Sequence, residues 1–212
     1  MQKRRVVAYI DGFNFYFRRL RNKPYRWLDL VAFVDSFFPN DEVVKVKYFT
    51  ARVSGNFDQK KADRQALYLR ALETIPRLEI IEGQYFTKAA SRRLVTPYIN
   101  QSGESVSFAQ IWHSDEKGSV NLGAHLLNDA WKNVYDIAAV VTNDSDLSAP
   151  IKMSAELGKT ITLIHPDNNT SKQLAQCATN ALHIHDSHLH HAQLPSTITL
   201  ANGRVIRKPD SF

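Results

Sequence analysis

The stretch VVTNDSDLSAPIKMSAELGK, residues 140–159, decides the fold. It grows out of the apolar run IAAVV at 137–141, a pattern that belongs to strands buried on both faces of a parallel sheet. Five polar residues follow, Thr142-Asn143-Asp144-Ser145-Asp146. From Leu147 the spacing is helical, with Leu147, Ile151, Ser154/Ala155 and Leu157 recurring on one face and Gly158 as the stop. The reading is a strand, an acidic turn and a helix. Ligands of open α/β sheets bind just beyond the carboxyl ends of the strands, so Asp144 and Asp146 are expected to face a site. A purely local reading also stands, with Asp146 or Ser145 capping the helix and Asp144 solvated.

Working outward, VVAYI at 6–10 is a second buried strand, ended by Asp11-Gly12-Phe13-Asn14. The helix after it is expected to turn Phe13, Phe17 and Leu20 inward and its arginines outward. Helices are expected over 29–38, 58–74 (after a loop opened by Gly55-Asn56), 119–132 and 171–182, and strands over 43–50, 78–86 and 160–164. Residues 87–118 are polar with weak alternation, a hairpin or a long loop. Strands alternating with helices imply an α/β fold, a mostly parallel sheet covered on both faces. The strands ending at Asp11 and Asp144 are expected to be neighbours near the switch point, which would gather three carboxylates.

The 212 residues suit one domain over 1–185 with a C-terminal tail over 186–212 packed on it or extending from it. A hydrophobic content of 43%, with 8 Gly and 8 Pro, excludes disordered and fibrous classes. The single cysteine, Cys177, cannot form an intrachain disulfide and reads as helix packing. With no charged-then-apolar leader, a cytoplasmic location is expected. No apolar run approaches the roughly 20 residues that span a bilayer, so no membrane is expected as a partner. The net charge of +6 is concentrated in Lys3-Arg4-Arg5, Arg18-Arg19, Arg21, Lys23 and Arg26, with smaller clusters at Lys60-Lys61, Arg64 and Arg92-Arg93. Such clusters make either a solvated basic face or a track for a phosphate backbone.

Asp11, Asp144 and Asp146 at strand ends would form a hard, oxygen-rich pocket suited to Mg²⁺ or Mn²⁺. One or two such ions acidify an attacking water and neutralise charge on a scissile phosphate, with no His or Ser nucleophile needed. Asn14 would orient a carboxylate or a metal water, or else bond local backbone. Trp131 sits in a helical apolar pattern and reads as core, Trp112 as a platform for stacking on bases, with Tyr16 and Phe15 as further platforms or core. The histidines crowded at 183–191 read as polar surface before zinc ligands.

These residues carry a resemblance. Tyr9-Ile10-Asp11-Gly12-Phe13-Asn14, then Glu116-Lys117-Gly118-Ser119, then Val141 to Leu147 with Leu157-Gly158-Lys159, are similar to the motifs of the NYN domain family, which belongs to the PIN-like nucleases. Gln193-Leu194-Pro195 and Arg207-Lys208-Pro209 resemble the tail of bacterial NYN proteins, so the likeness covers nearly the whole chain. It implies a PIN-like three-layer α/β/α fold and metal-dependent cleavage of RNA. By position, Asp11, Asp144 and Asp146 match the motif acids that hold Mg²⁺ or Mn²⁺, and Asn14 the motif asparagine. Arg18, Arg19, Lys117, Trp112, Asn143 and Ser145 would hold the RNA. One position departs: after Lys117-Gly118-Ser119 the family carries an aspartate where this chain has Val120-Asn121. Glu116, Asp115 or Asn121 would have to substitute, and an amide is a poorer metal ligand than a carboxylate.

The expectation is a metal-dependent endoribonuclease. The alternative is a catalytically impaired RNA-binding or regulatory module of the same fold, which would bind RNA in EDTA without cutting it. A phosphohydrolase of small substrates ranks lower, since the first strand ends in Asp11-Gly12-Phe13 rather than D-x-D. A homo-oligomer or another protein partner stays open.

Overall fold

The structure is a computed structural model that describes residues 3–53, 58–116, 119–167, 169, 171–200, 202–210 and 212, with only the backbone at 85–87 and 112–116. Lys117, the Gly55-Asn56 loop and the side chain of Trp112 therefore lie outside the described residues. In chain order the elements are β1 (Arg5–Asp11), α1 (Gly12–Phe15) continuing into a π-helical turn (Tyr16–Leu20), α2 (Leu30–Asp35), β2 (Glu42–Thr50), α3 (Gln59–Leu72) and β3 (Leu78–Glu82). Then come β4 (Tyr85–Ile99), β5 (Ser105–Glu116), α4 (Ser119–Trp131), β6 (Ile137–Val141), a 3₁₀ turn (Ser145–Leu147), α5 (Ser148–Glu156) and β7 (Thr160–His165). The chain continues through α6 (Lys172–Cys177), β8 (Asn180–His183), α7 (Asp186–His191), β9 (Thr197–Thr199) and β10 (Val205–Arg207).

The apolar runs at 6–10 and 137–141 become neighbouring central strands because neither has a polar face to give to water. Among the described residues, six strands make one parallel sheet in the order β3-β2-β1-β6-β7-β8. Successive side chains of a strand point to opposite faces, so β1 feeds two cores. Val6, Ala8 and Ile10 pack with Phe15, Phe33, Leu69 and the tail residues Leu189 and Leu194. Val7 and Tyr9 pack with Leu122 and Leu126 of α4, Ile151 of α5 and Leu174 of α6. Each Val, Leu, Ile or Phe side chain among them contributes roughly 1.5–3 kcal/mol when fully buried. The result is a three-layer α/β/α sandwich. The chain builds β2 and β3 on one side of β1 and β6 to β8 on the other, so the switch point lies between β1 and β6, at Asp11 and Thr142.

The tail is tied down through α2 and the segment before it. Asp29 N donates to the Ala192 carbonyl (2.7 Å), Leu194 N to the Trp27 carbonyl (2.9 Å) and Trp27 Nε1 to the Pro195 carbonyl (2.9 Å). Trp27 is thereby fully buried, a packing residue.

Several local expectations change. Residues 87–116 take the first of the two forms expected there and make up most of a long antiparallel hairpin, β4–β5, whose strands pair only with each other among the described residues. Both its faces meet water along much of its length, which is why the alternation is weak. The expected strand over 78–86 ends at Glu82, where Gly83 N bonds to the Thr50 carbonyl (2.7 Å). The expected helix over 171–182 stops at Cys177, and β8 follows as an edge strand beside β7. Trp131 is 77% exposed, because the buried face of α4 runs through Leu122, Leu126 and Ala130, and one further residue turns about 100° away. Phe17 is exposed as well, where the π-helical turn shifts the helical register. Phe15 is fully buried against Phe33 and is core.

Candidate active site

The first turn of α1 forms where β1 ends. The Asp11 carboxylate caps that helix, with Oδ1 accepting from Asn14 N (3.0 Å). Gly12 is required there by close approach. A Cβ at that position would sit 2.7 Å from both the Phe49 carbonyl oxygen and the Tyr48 ring. The other oxygen, Asp11 Oδ2, accepts from the Thr142 hydroxyl at the end of β6 (3.1 Å), and that hydroxyl oxygen accepts from Asp144 N (3.1 Å). Thr142 is fully buried, so this small network fixes the two acidic turns against each other. Asp144 Oδ1 in turn accepts from Asp146 N (3.1 Å), capping the 3₁₀ turn.

Burial pushes the Asp11 carboxyl above its ordinary value, and the nearby Asp144 carboxylate adds to that rise. The bonds from Asn14 and Thr142 and the positive charge of Arg18 work in the opposite direction. A carboxylate that is 8% exposed and has a like charge as neighbour is costly to ionise unless a cation comes to it.

The Asn14 side chain bridges the two acidic turns. Its Oδ1 accepts from the Asn143 backbone N–H (3.0 Å), lacing the β1 turn to the β6 turn. Asn143 is also committed. Its Nδ2 donates to the Asp167 carboxylate (3.1 and 3.2 Å) and to the Asn169 carbonyl (2.8 Å), and its Oδ1 accepts from Ser171 N (2.8 Å). Asp167, just past the end of β7, binds Arg18 as well (2.7 Å). Arg19 pairs with Asp186. Both arginines are thus held by carboxylates near the carboxyl ends of the strands. Arg4 and Arg5 pair with Asp41 and Asp136 at the opposite end of β1, about 20 Å away along a seven-residue strand. The N-terminal basic clusters therefore do not form one surface.

Ser145 and Asp146 are exposed. Asp146 lines a groove between α4 and α5 together with Ser119, Val120 and Pro150. The start of α4, where the resemblance to NYN motifs would place a further acid, therefore lies beside Asp146, and Val120 there is 76% exposed. Among the described residues no three His, Cys, Asp or Glu side chains form a ready ligand group for a metal. Asp11 and Asp144 offer two hard oxygen donors, which fits a cation such as Mg²⁺ that takes one or two carboxylates and keeps several waters. Within the histidine run at 183–191, His185 and His188 serve as a capping box for α7, with His185 N donating to His188 Nδ1 (3.1 Å).

Sequence reasoning missed Thr142 and Asp167. The first was legible only as part of a polar run. The second had one signal, its place just beyond a third apolar strand run at 160–164.

No family model matches the chain. A curated relative, 6-hydroxy-3-succinoylpyridine 3-monooxygenase HspA of Pseudomonas putida strain S16, is 30% identical across 239 aligned positions, taking in 98% of this chain and 75% of the relative. By its name that relative is an enzyme. In fold, the chain is similar to the crystal structure of a protein of unknown function from Vibrio parahaemolyticus. The TM-score is 0.56 at 20% identity, over 87% of this chain and 95% of that one.

Proposed function

The chain belongs to the family of the Pseudomonas putida monooxygenase HspA, and within that family we propose that it is a Mg²⁺- or Mn²⁺-dependent hydrolase of RNA phosphodiester bonds with an NYN-type acidic site. The observation that supports this most is the buried Asp11 carboxylate beside Asp144 at the switch point of the sheet. A divalent cation there would supply positive charge for the scissile phosphate and lower the pKa of an attacking water. Asp11 and Asp144 would bind it, with Asp146 reached through the 3₁₀ turn. Thr142 orients the Asp11 carboxylate, and Asn14 holds the two turns in register. These are positioning roles. The Arg18 charge, anchored by Asp167, lies close enough to favour ionised Asp11 and an incoming phosphate.

The test is end-labelled RNA incubated with Mn²⁺, Mg²⁺ or EDTA, with wild type beside Asp144→Asn. Metal-dependent cleavage that falls by about a hundredfold or more in the variant is the expected result. Intact RNA in every lane, with a retained gel shift, would instead identify a binding module that has lost competence at the Ser119-Val120 corner.

The likeness to HspA favours one second reading, an oxygenase acting on a heteroaromatic ring. Such an enzyme consumes dioxygen, a two-electron donor and protons, places one oxygen atom on the ring and releases the other as water. Oxygen uptake driven by a hydroxypyridine and NADH, with RNA left intact, would select this reading over hydrolysis.

A further inference from the structure

A cavity of about 110 Å³ opens beside the acidic turn, beginning at Gly12 and Phe13, the residues directly after Asp11. It crosses the carboxyl end of β2 to α3, with Phe13, Phe17, Tyr48 and Tyr68 among its walls. It is mostly apolar, yet two cations of α3, Lys61 and Arg64, line it, both half-buried, and Arg26 joins the lining from over the Phe212 ring. Among the described residues, no Asp or Glu lines it.

The two cations stand apart from most other basic groups near carboxylates. Arg4, Arg5, Arg18, Arg19, Lys45, Lys47, Arg52 and Arg77 each pair with an acid. Lys61 and Arg64 have no carboxylate partner among the described residues. Lys61 rests instead 5.8 Å from the centroid of the Phe17 ring. A half-buried cation that has lost part of its hydration and gained no counter-charge attracts an anion more strongly than one in open water. Aromatic walls favour a flat partner, through stacked or edge-on ring contacts. Engineered apolar cavities of about 150 Å³ hold a benzene ring, so a space of this order admits a single ring.

We propose that this cavity binds a planar aromatic ring carrying an anionic group, with the ring against Phe13 and Tyr48 and the anion at Lys61 and Arg64. The site is distinct from the Asp11–Asp144 pair and does not depend on phosphodiester cleavage. Its ligand chemistry has two sources, a nucleotide or a small aromatic carboxylate, and the probes below separate them.

The experiment is calorimetric titration of the whole chain in EDTA, so that the acidic turn holds no cation. The probes are uridine 5′-monophosphate and pyridine-3-carboxylate, each paired with its uncharged counterpart, uridine and pyridine. At least one anionic probe is expected to bind at a single site, at least tenfold more tightly than its uncharged counterpart. That affinity is expected to fall at least tenfold in a Lys61→Gln, Arg64→Gln double variant and to be unchanged in Lys60→Gln, a substitution at the exposed neighbour. Whichever anion binds identifies the source. No saturable binding of either anion up to millimolar concentration overturns the proposal, as does equal binding of charged and uncharged probes. The charged-against-uncharged comparison needs no variant, so it decides the matter even if the double variant does not fold.

Discussion

Asp11 bears opposing demands: it caps a helix, accepts from Thr142 and lies near Asp144, all while buried. Because its folded-state carboxyl is raised above the unfolded value, the protonated form is the one the fold favours. The stability this contributes is fully present below the unfolded pKa and is lost as pH rises through the folded one. At neutral pH without a divalent cation the ionised group is therefore a strain on the fold. Asp11→Asn is expected to raise the melting temperature in EDTA at pH 7.5, with the difference shrinking toward pH 4. If the site takes Mn²⁺, added Mn²⁺ should raise the melting temperature of wild type and leave the variant unmoved. Scanning fluorimetry over pH, with and without Mn²⁺, measures both. A variant that melts lower than wild type in EDTA at every pH would show that its capping and hydrogen bonding outweigh the buried charge.

Elements with a strong internal pattern were legible in the sequence. The strands β1 and β6 show as unbroken apolar runs, and α3 by its periodic Leu67, Leu69 and Leu72. β8 was not legible, and the hairpin only as one of two alternatives, because a strand exposed on both faces or lying at an edge has little polar-apolar contrast to show. The site divides the same way. Asp11 and Asp144 follow from strand ends, whereas the bonds from Thr142 to Asp11 and from Arg18 to Asp167 join residues 131 and 149 apart in the chain.

The β4–β5 arm allows a direct test at this scale. Its ends are adjacent, since Tyr85 and Glu116 are cross-strand partners, within about 5.5 Å between Cα atoms. Replacing 85–116 by a short Gly/Ser linker is expected to preserve cooperative melting, with a shift of no more than about 4 °C, the equivalent of roughly 1 kcal/mol for a chain of this size. Circular dichroism of the deletion variant reads this directly. Loss of cooperativity would mean that the arm supports the sheet.

Across the whole molecule, one polar cluster crosses from the sheet to the helical layer. Lys47 of β2 donates to Asp129 Oδ2 of α4 (2.6 Å), and Tyr9 of β1 donates its hydroxyl to the same oxygen (2.7 Å). The ion pair is almost fully buried, with side chains 10% and 8% exposed. Breaking such a pair from one side leaves an uncompensated charge, at a cost of about 3–5 kcal/mol, whereas replacing both partners by apolar groups is often neutral. Asp129→Ala is expected to lose stability on that scale in urea unfolding, and the Lys47→Met, Asp129→Leu double variant to recover most of it. A single variant costing under about 1 kcal/mol would show that water reaches the cluster.

The bonds that join the two acidic turns also set a schedule. Thr142 and Asp11 are separated by 131 residues, although their strands are adjacent. At about 5–20 residues per second, Asp11 is made about 7 to 26 s before Thr142. During that interval one side of the central strand has no neighbour, and the Asp11 carboxylate has neither its hydroxyl donor nor Asp144 beside it. The acidic pocket thus comes into being only after β6 docks, so a nascent chain passes through most of its synthesis without it.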